Sequence, residues 1–202
     1  MRASLILTTT LLACLASPLS PSLAATDPMQ IGAGHFQHAD YKSAVASWQP
    51  LAIKGNAVAQ NNMGILYLDG KGVKQDTAEA VRYLSLSAAS GSSLGQNNLG
   101  GLYREGTGVP RDFAKAAQWF TASAAQGNAA AMYNLGLMYE LGQGVKAEPS
   151  RAYMWYTLAA DQHTVNAAAH RDAVWSQMTP VAQKQAKELA AACKSQAFKS
   201  CR

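Results

Sequence analysis

In the stretch Asn97-Asn98-Leu99-Gly100-Gly101-Leu102-Tyr103 the apolar residues recur at helical spacing. The stretch from Phe113 to Ala125 does the same through Ala116, Trp119, Phe120 and Ala124. The units that contain them are rich in Ala and poor in β-branched residues, which favours helix over strand. The apolar runs are also too long for ordinary strands once their polar flanks are included. The pattern predicts a helix, a glycine-containing loop and a second helix.

That unit recurs. Gly64, Gly100 and Gly136 are 36 residues apart, and so are Tyr67, Tyr103 and Tyr139. The same spacing holds for Gly70, Gly106 and Gly142, for Gly72, Gly108 and Gly144, and for Val73, Val109 and Val145. Ala80, Ala116 and Ala152 follow, then the aromatic column Tyr83, Trp119 and Trp155, then Ala88, Ala124 and Ala160. Eight columns in register over three units mark a repeat array.

Each recurring residue has a local reason. A glycine inside a helix costs on the order of 1 kcal/mol against alanine, so Gly64, Gly100 and Gly136 imply a compensating close approach. The small Ala80, Ala116 and Ala152 of the second helix are the expected partners. Gly70, Gly106 and Gly142 fall where the first helix ends and a left-handed residue is wanted. Asp76 and Asp112 open the second helix as caps, and Pro149 after Glu148 suits its first turn in the last unit. Trp48, Trp175, Met132, Met138 and Met154 read as core filling.

The composite pattern Asn-Leu-Gly-x-x-Tyr-x-x-Gly-x-Gly-Val, then Ala-x-x-Trp-(Phe/Tyr), then Ala-Ala-x-Gly, resembles the Sel-one-like repeat family of the tetratricopeptide-like superfamily. The resemblance implies an all-α fold, a right-handed α-solenoid of helix-turn-helix repeats with C-terminal capping helices. Three repeats are assigned to 57–91, 92–127 and 128–163. Residues 25–56 form a degenerate first unit, in which a tight His38-Ala39-Asp40-Tyr41 turn replaces the Gly-x-Gly-Val loop. Residues 164–202 supply the capping helices and tail, with Thr164 and Thr179 as expected N-caps and Pro180 in a first turn. A terminal unit of this kind covers an apolar face that the last repeat leaves open.

Composition alters the picture mainly at the ends. Arg2, an apolar run from Ala3 to Leu15 and Ser22-Leu23-Ala24 have the layout of a secretory signal peptide, residues 1–24, cleaved after Ala24. Cys14 sits in a loose lipobox, and is read as an apolar residue of the leader rather than a lipid anchor. Without the leader the chain keeps 16 basic and 12 acidic residues, a mild +4 with no basic run of the kind that binds nucleic acid. No later segment is apolar enough to span a bilayer. The expected location is the periplasm or the exterior, where Cys193 and Cys201 either pair as a disulfide that staples the tail or stay as two thiols on a frayed end.

Candidate chemistry is sparse. The Gly-x-Gly-Val loops lack the third glycine and the preceding strand of a dinucleotide site. His35 with His38, and His163 with His170, lack a third metal ligand nearby in sequence. No nucleophile motif or paired-carboxylate signature is present, so the chain is read as a non-enzyme with no cofactor and no metal. The resemblance nominates Asn62, Asn98 and Asn134 on the first helix of each unit as peptide-binding residues. Asn61, Asn97, Arg104, Tyr133 and Glu140 share that face. An amide both donates to and accepts from a peptide bond. The same column reads equally well as structural, bonding a neighbouring helix. The expected function is an exported adaptor that holds a protein or peptide segment in its groove, as a regulator, an envelope-assembly factor or a toxin-immunity protein. The alternative is a peptidoglycan- or β-lactam-binding protein with at most weak hydrolase activity, although its relatives of that kind carry cysteines within each repeat.

Overall fold

A computed structural model describes residues 27–198 and residue 201. The leader, its cleavage site and Cys14 lie outside the described residues. Among the described residues ten α-helices follow one another: α1 (Pro28–Gln37), α2 (Tyr41–Ile53), α3 (Ala57–Asp69), α4 (Thr77–Ala89), α5 (Ser93–Glu105), α6 (Phe113–Ala124), α7 (Ala129–Leu141), α8 (Pro149–Ala160), α9 (Ala167–Gln177) and α10 (Pro180–Ser195). Each of α1 to α8 packs against its chain neighbours, giving four stacked hairpins. The odd-numbered helices are the first of each hairpin (helix A) and the even-numbered ones the second (helix B). The core is accordingly strung along the stack as several apolar clusters.

The caps follow the expected chemistry. Asn56, Ser92 and Asn128 accept backbone N–H bonds at the starts of α3, α5 and α7. Asp76 and Asp112 do so for α4 and α6. The N–H of Lys115 bonds the Asp112 carboxyl and holds it below the usual carboxylate range. Gly106 ends α5 in the left-handed region at φ 78°, its N–H returning to the Leu102 carbonyl. The loop is then closed by the N–H of Asp112 on the Tyr103 carbonyl, 2.8 Å. Asp76 and Tyr67, and Glu148 and Tyr139, make the same bond. Gly108 lies against Thr77 and Val81 of the preceding hairpin, so the loop also ties one unit to the next.

The buried partner of the helix-A glycine differs from the expectation. A Cβ on Gly100 would stand 2.8 Å from the Phe120 ring, and one on Gly64 would stand 2.6 Å from Leu84 Cγ. Gly136 meets the Tyr156 ring in the same way. Ala80, Ala116 and Ala152 are fully buried on the same helices, and the Ala80 carbonyl stands 3.3 Å from a Cβ on Gly64. The glycine is therefore a socket for a large side chain one turn further along helix B. Gly32 of α1 seats Trp48 of α2 in the same manner, so the degenerate first unit keeps the device.

The C-terminal cap also differs from a further hairpin. Helix α9 packs on α8, and α10 returns to α8 rather than pairing with α9. Thr179 caps α10 by accepting from Ala182 N–H, as expected. Thr164 does not cap α9. That helix begins after Asn166, whose φ of 65° places it in a left-handed turn with no side-chain cap. Cys193 and Cys201 form a disulfide with Cα atoms 5.0 Å apart, within the range such a bridge needs. It binds the tail to the end of α10.

Two substitutions test the socket, and a third tests a polar defect. Gly100→Ala gains about 1 kcal/mol of helix propensity but overpacks Phe120, a cost of roughly 1–3 kcal/mol, so urea unfolding should show net destabilisation. The adjacent Gly101→Ala meets nothing within 4 Å and should stabilise by about 0.5–1 kcal/mol. The third position follows from Gln96, whose side-chain carbonyl accepts from Gln126 at 2.8 Å. The aligned Gln60, 4% exposed, has a buried carbonyl with no donor among the described residues, because Ser90 stands where the next unit has Gln126. Ser90→Gln should supply that donor and raise stability by about 1 kcal/mol, read as a higher melting temperature.

Candidate interaction face on the first helices

The eight nominated residues lie on helix A of the three central units. Asn61 and Asn62 are on α3, Asn97, Asn98 and Arg104 on α5, and Tyr133, Asn134 and Glu140 on α7. Apart from the buried Asn61 and the more exposed Glu140, they are half-buried. Leu99 and Leu135, beside Asn98 and Asn134, point into the core. The helical period therefore leaves the amides at the boundary between core and solvent.

Six of these residues form one chain of hydrogen bonds. Arg104 Nη1 donates to Asn134 Oδ1 at 2.7 Å, and Asn134 Nδ2 donates to Asn97 Oδ1 at 3.1 Å. Asn97 Nδ2 donates to Asn98 Oδ1 at 3.3 Å, and Asn98 Nδ2 to Asn61 Oδ1 at 2.7 Å. Asn61 Nδ2 completes the relay on Asn62 Oδ1 at 3.3 Å. The bonds run from α7 through α5 to α3. Among the described residues no side-chain bond joins α4, α6 and α8 in this way. The structural reading of the asparagine column is met here, since the amides do bond neighbouring helices. Each internal amide spends one N–H and one lone pair, and an amide has two of each. Half of its capacity is left.

Arg104 also donates Nη2 to Glu105 at 3.1 Å, which steadies its head at the start of the relay. The Asn61 and Asn97 column carries Tyr133 in the third unit, and there the amide relay gives way to rings. Tyr133 lies 5.7 Å from Tyr156 and 5.6 Å from His170, centroid to centroid. The Tyr156 hydroxyl donates to Glu140 at 2.5 Å, and His170 Nδ1 faces the same carboxylate at 3.4 Å. Burial, followed by the bond to Glu140, pushes the Tyr156 phenol far above its usual range. Glu140 is thereby a clasp between α7, α8 and α9, a role that its position in the repeat did not reveal.

A small cavity opens at the other end of the face. It has about 260 Å³ and is lined by Ala33, Phe36, Gln37, Trp48, Asn62 and Ile65. The sequence pattern marks Trp48 as core filling and does not place it beside Asn62. No cluster of three metal-ligating side chains occurs among the described residues. His35 instead faces Asp40 at 3.4 Å. No described helix is long and apolar enough to cross a membrane.

A family model of the Sel1 repeat matches residues 57–92, 93–128 and 129–163, just over half of the chain. No curated protein sequence matches. Among solved structures, the chain is similar to c5321, described as a protective antigen present in uropathogenic Escherichia coli strains displaying an SLR fold. The identity is 31%, the TM-score 0.69, and the match covers 80% of this chain and 37% of that one. It is also similar to a Sel1 repeat protein from Oxalobacter formigenes, with 33% identity, a TM-score of 0.59, and coverage of 63% of this chain and 96% of the other. The chain thus spans little more than a third of the length of the first of these relatives. With the repeat motif matched in three consecutive units and the socket and loop geometry repeated in each, the chain belongs to the Sel1 repeat family.

Proposed function

We propose that the protein is an exported interaction adaptor that holds an extended segment of another protein along the helix-A face, without catalysing a reaction. The observation that carries this reading is the amide relay. It lays partly exposed asparagines across three successive helices, each with an unspent donor and acceptor. An extended chain offers the complementary groups at regular intervals. Arg104 and Glu140, in one column, place opposite charges along the track, and the aromatic cavity beside Asn62 gives one end an apolar anchor. Association by a preformed face costs less ordering entropy than association by a mobile one, and the relay fixes these amides in advance.

Export rests on the leader-like first 24 residues and on the paired cysteines, which suit an oxidising compartment. One solved relative is described as a protective antigen, a property that fits a protein outside the cytoplasm. The partner is a protein segment, and regulation, envelope assembly and toxin neutralisation are the processes such an adaptor serves.

A photo-reactive residue replacing Asn98 in the full chain, in its native cell, should trap one protein that the same residue at exposed Lys54 does not. Equal trapping at both positions, or none, overturns the reading. With that partner in hand, Asn98→Ala combined with Arg104→Ala should weaken binding about tenfold or more. The same pair should also lower stability by about 1–3 kcal/mol, because Asn61 loses the donor to its buried carbonyl oxygen. Both quantities need measuring on one preparation.

A further inference from the structure

A cavity lies away from the asparagine face, between α6, α8, the loop after α7 and the disulfide-bound tail. It has about 780 Å³ and is open to solvent on one side, a size typical of small-molecule sites, roughly 300–1,000 Å³. Its walls include Ala117, Val145 and Phe198, and its rim carries Lys146. Trp155 also lines it.

Trp155 is 2% exposed, and its indole N–H has no acceptor among the described residues. A buried donor left unpaired costs on the order of 1–3 kcal/mol. Repeat packing does not require that cost, because the aligned Trp119 is only half-buried and its N–H is not stranded. What differs at Trp155 is the tail. Phe198 and Cys201 line the same cavity, and both belong to the apolar cluster that contains Trp155. The tail holds its place through the Cys193–Cys201 bridge, with Ala197 and Phe198 at φ 48° and 68°. Non-glycine residues adopt those values at a cost of about 1–2 kcal/mol each. A strained wall is thus fixed covalently beside an unsatisfied donor.

The charges at the cavity are unbalanced. Arg151 Nε bonds Glu148 at 2.6 Å, so these two neutralise each other. Lys146 is exposed and has no carboxylate partner among the described residues. Among the described lining residues the unbalanced charge is that of one ammonium group, and the one unspent buried polar atom is a donor. Both call for an anionic acceptor, and the alanine, valine and phenylalanine walls call for an apolar body behind it.

We propose that this cavity binds a small monocarboxylate with an apolar body. Its carboxylate accepts from the Trp155 indole N–H and pairs with the Lys146 ammonium, and its body lies against Ala117, Val145 and Phe198. The ligand oxygen reaches the buried indole nitrogen where the Phe198 side chain of the lining gives way. The site is separate from the adaptor face and does not depend on it.

The test uses the full mature chain with its disulfide intact, labelled with nitrogen-15 and titrated with sodium octanoate. The chain has four tryptophans, and the indole resonance absent from Trp155→Phe identifies the one of interest. That resonance should shift saturably at concentrations up to about 10 mM while the other three stay in place, a weak but specific affinity. Lys146→Gln, at an exposed position that does not threaten folding, should weaken the apparent affinity about five- to tenfold. A Trp155 resonance that stays unmoved, a shift shared equally by all four indoles, or an affinity indifferent to Lys146→Gln would each overturn the proposal.

Discussion

The architecture depends on one steric arrangement, a helix-A glycine with a bulky helix-B side chain seated on it. Gly32 takes Trp48, Gly64 takes Leu84, Gly100 takes Phe120 and Gly136 takes Tyr156. Each glycine weakens its own helix by about 1 kcal/mol, while full burial of a large side chain returns roughly 1.5–3 kcal/mol. The net gain per hairpin is modest, but the geometry it imposes is strict. With the two helices held this close, the Ala columns fill the remaining space and the loops reach the preceding hairpin. Gly108 against Thr77 and Val81 then carries the spacing from unit to unit. Stability of such an array is a sum of unit and interface contributions, so a defect such as the unpaired Gln60 stays local.

Fold was legible in the sequence wherever structure repeats at the 36-residue period. The glycine loops, the caps at Asp76 and Asp112 and the aromatic columns were all visible that way. Apart from the large side chains seated on the helix-A glycines, which do repeat, what escaped sits off the period. The interhelix amide bonds join Asn98 to Asn61 and Asn134 to Asn97, each 37 residues apart. Self-comparison aligns Asn98 with Asn62, so it hides the residue that Asn98 touches. The Gly32 and Trp48 socket escaped for a similar reason. Its two members are 16 residues apart, whereas Gly100 and Phe120 are 20 apart, the tight turn at Ala39 having removed the longer loop. The Asn166 start of α9 escaped because a left-handed turn set the boundary, and a sequence pattern for that turn is weak outside glycine.

The candidate face was legible as a set of residues and illegible as a mechanism. The family resemblance nominated Asn62, Asn98 and Asn134, one column of the repeat, and amide chemistry suits such residues to a peptide. Periodicity did not show that their neighbours Asn61 and Asn97 act as couplers, or that Glu140 would be drawn into a clasp with Tyr156 and His170. These roles arise from superhelical stacking, which brings non-equivalent columns together. A structural and a binding role for the amides are then complementary. Bonds between helices orient the side chains, and orientation fixes where the spare donors and acceptors stand.

The orientation has one further consequence. A guanidinium donates and never accepts, so Arg104 obliges Asn134 to present its oxygen. Asn134 must then offer its amino group to Asn97, and the choice passes through Asn98 and Asn61 to Asn62. One cation thereby sets the sense of every amide along three helices. A face whose donors and acceptors all run one way is not equivalent to its reverse. An extended chain also has a direction, because its N–H and carbonyl groups alternate in fixed order, so the relay distinguishes the two ways in which such a chain could lie on it.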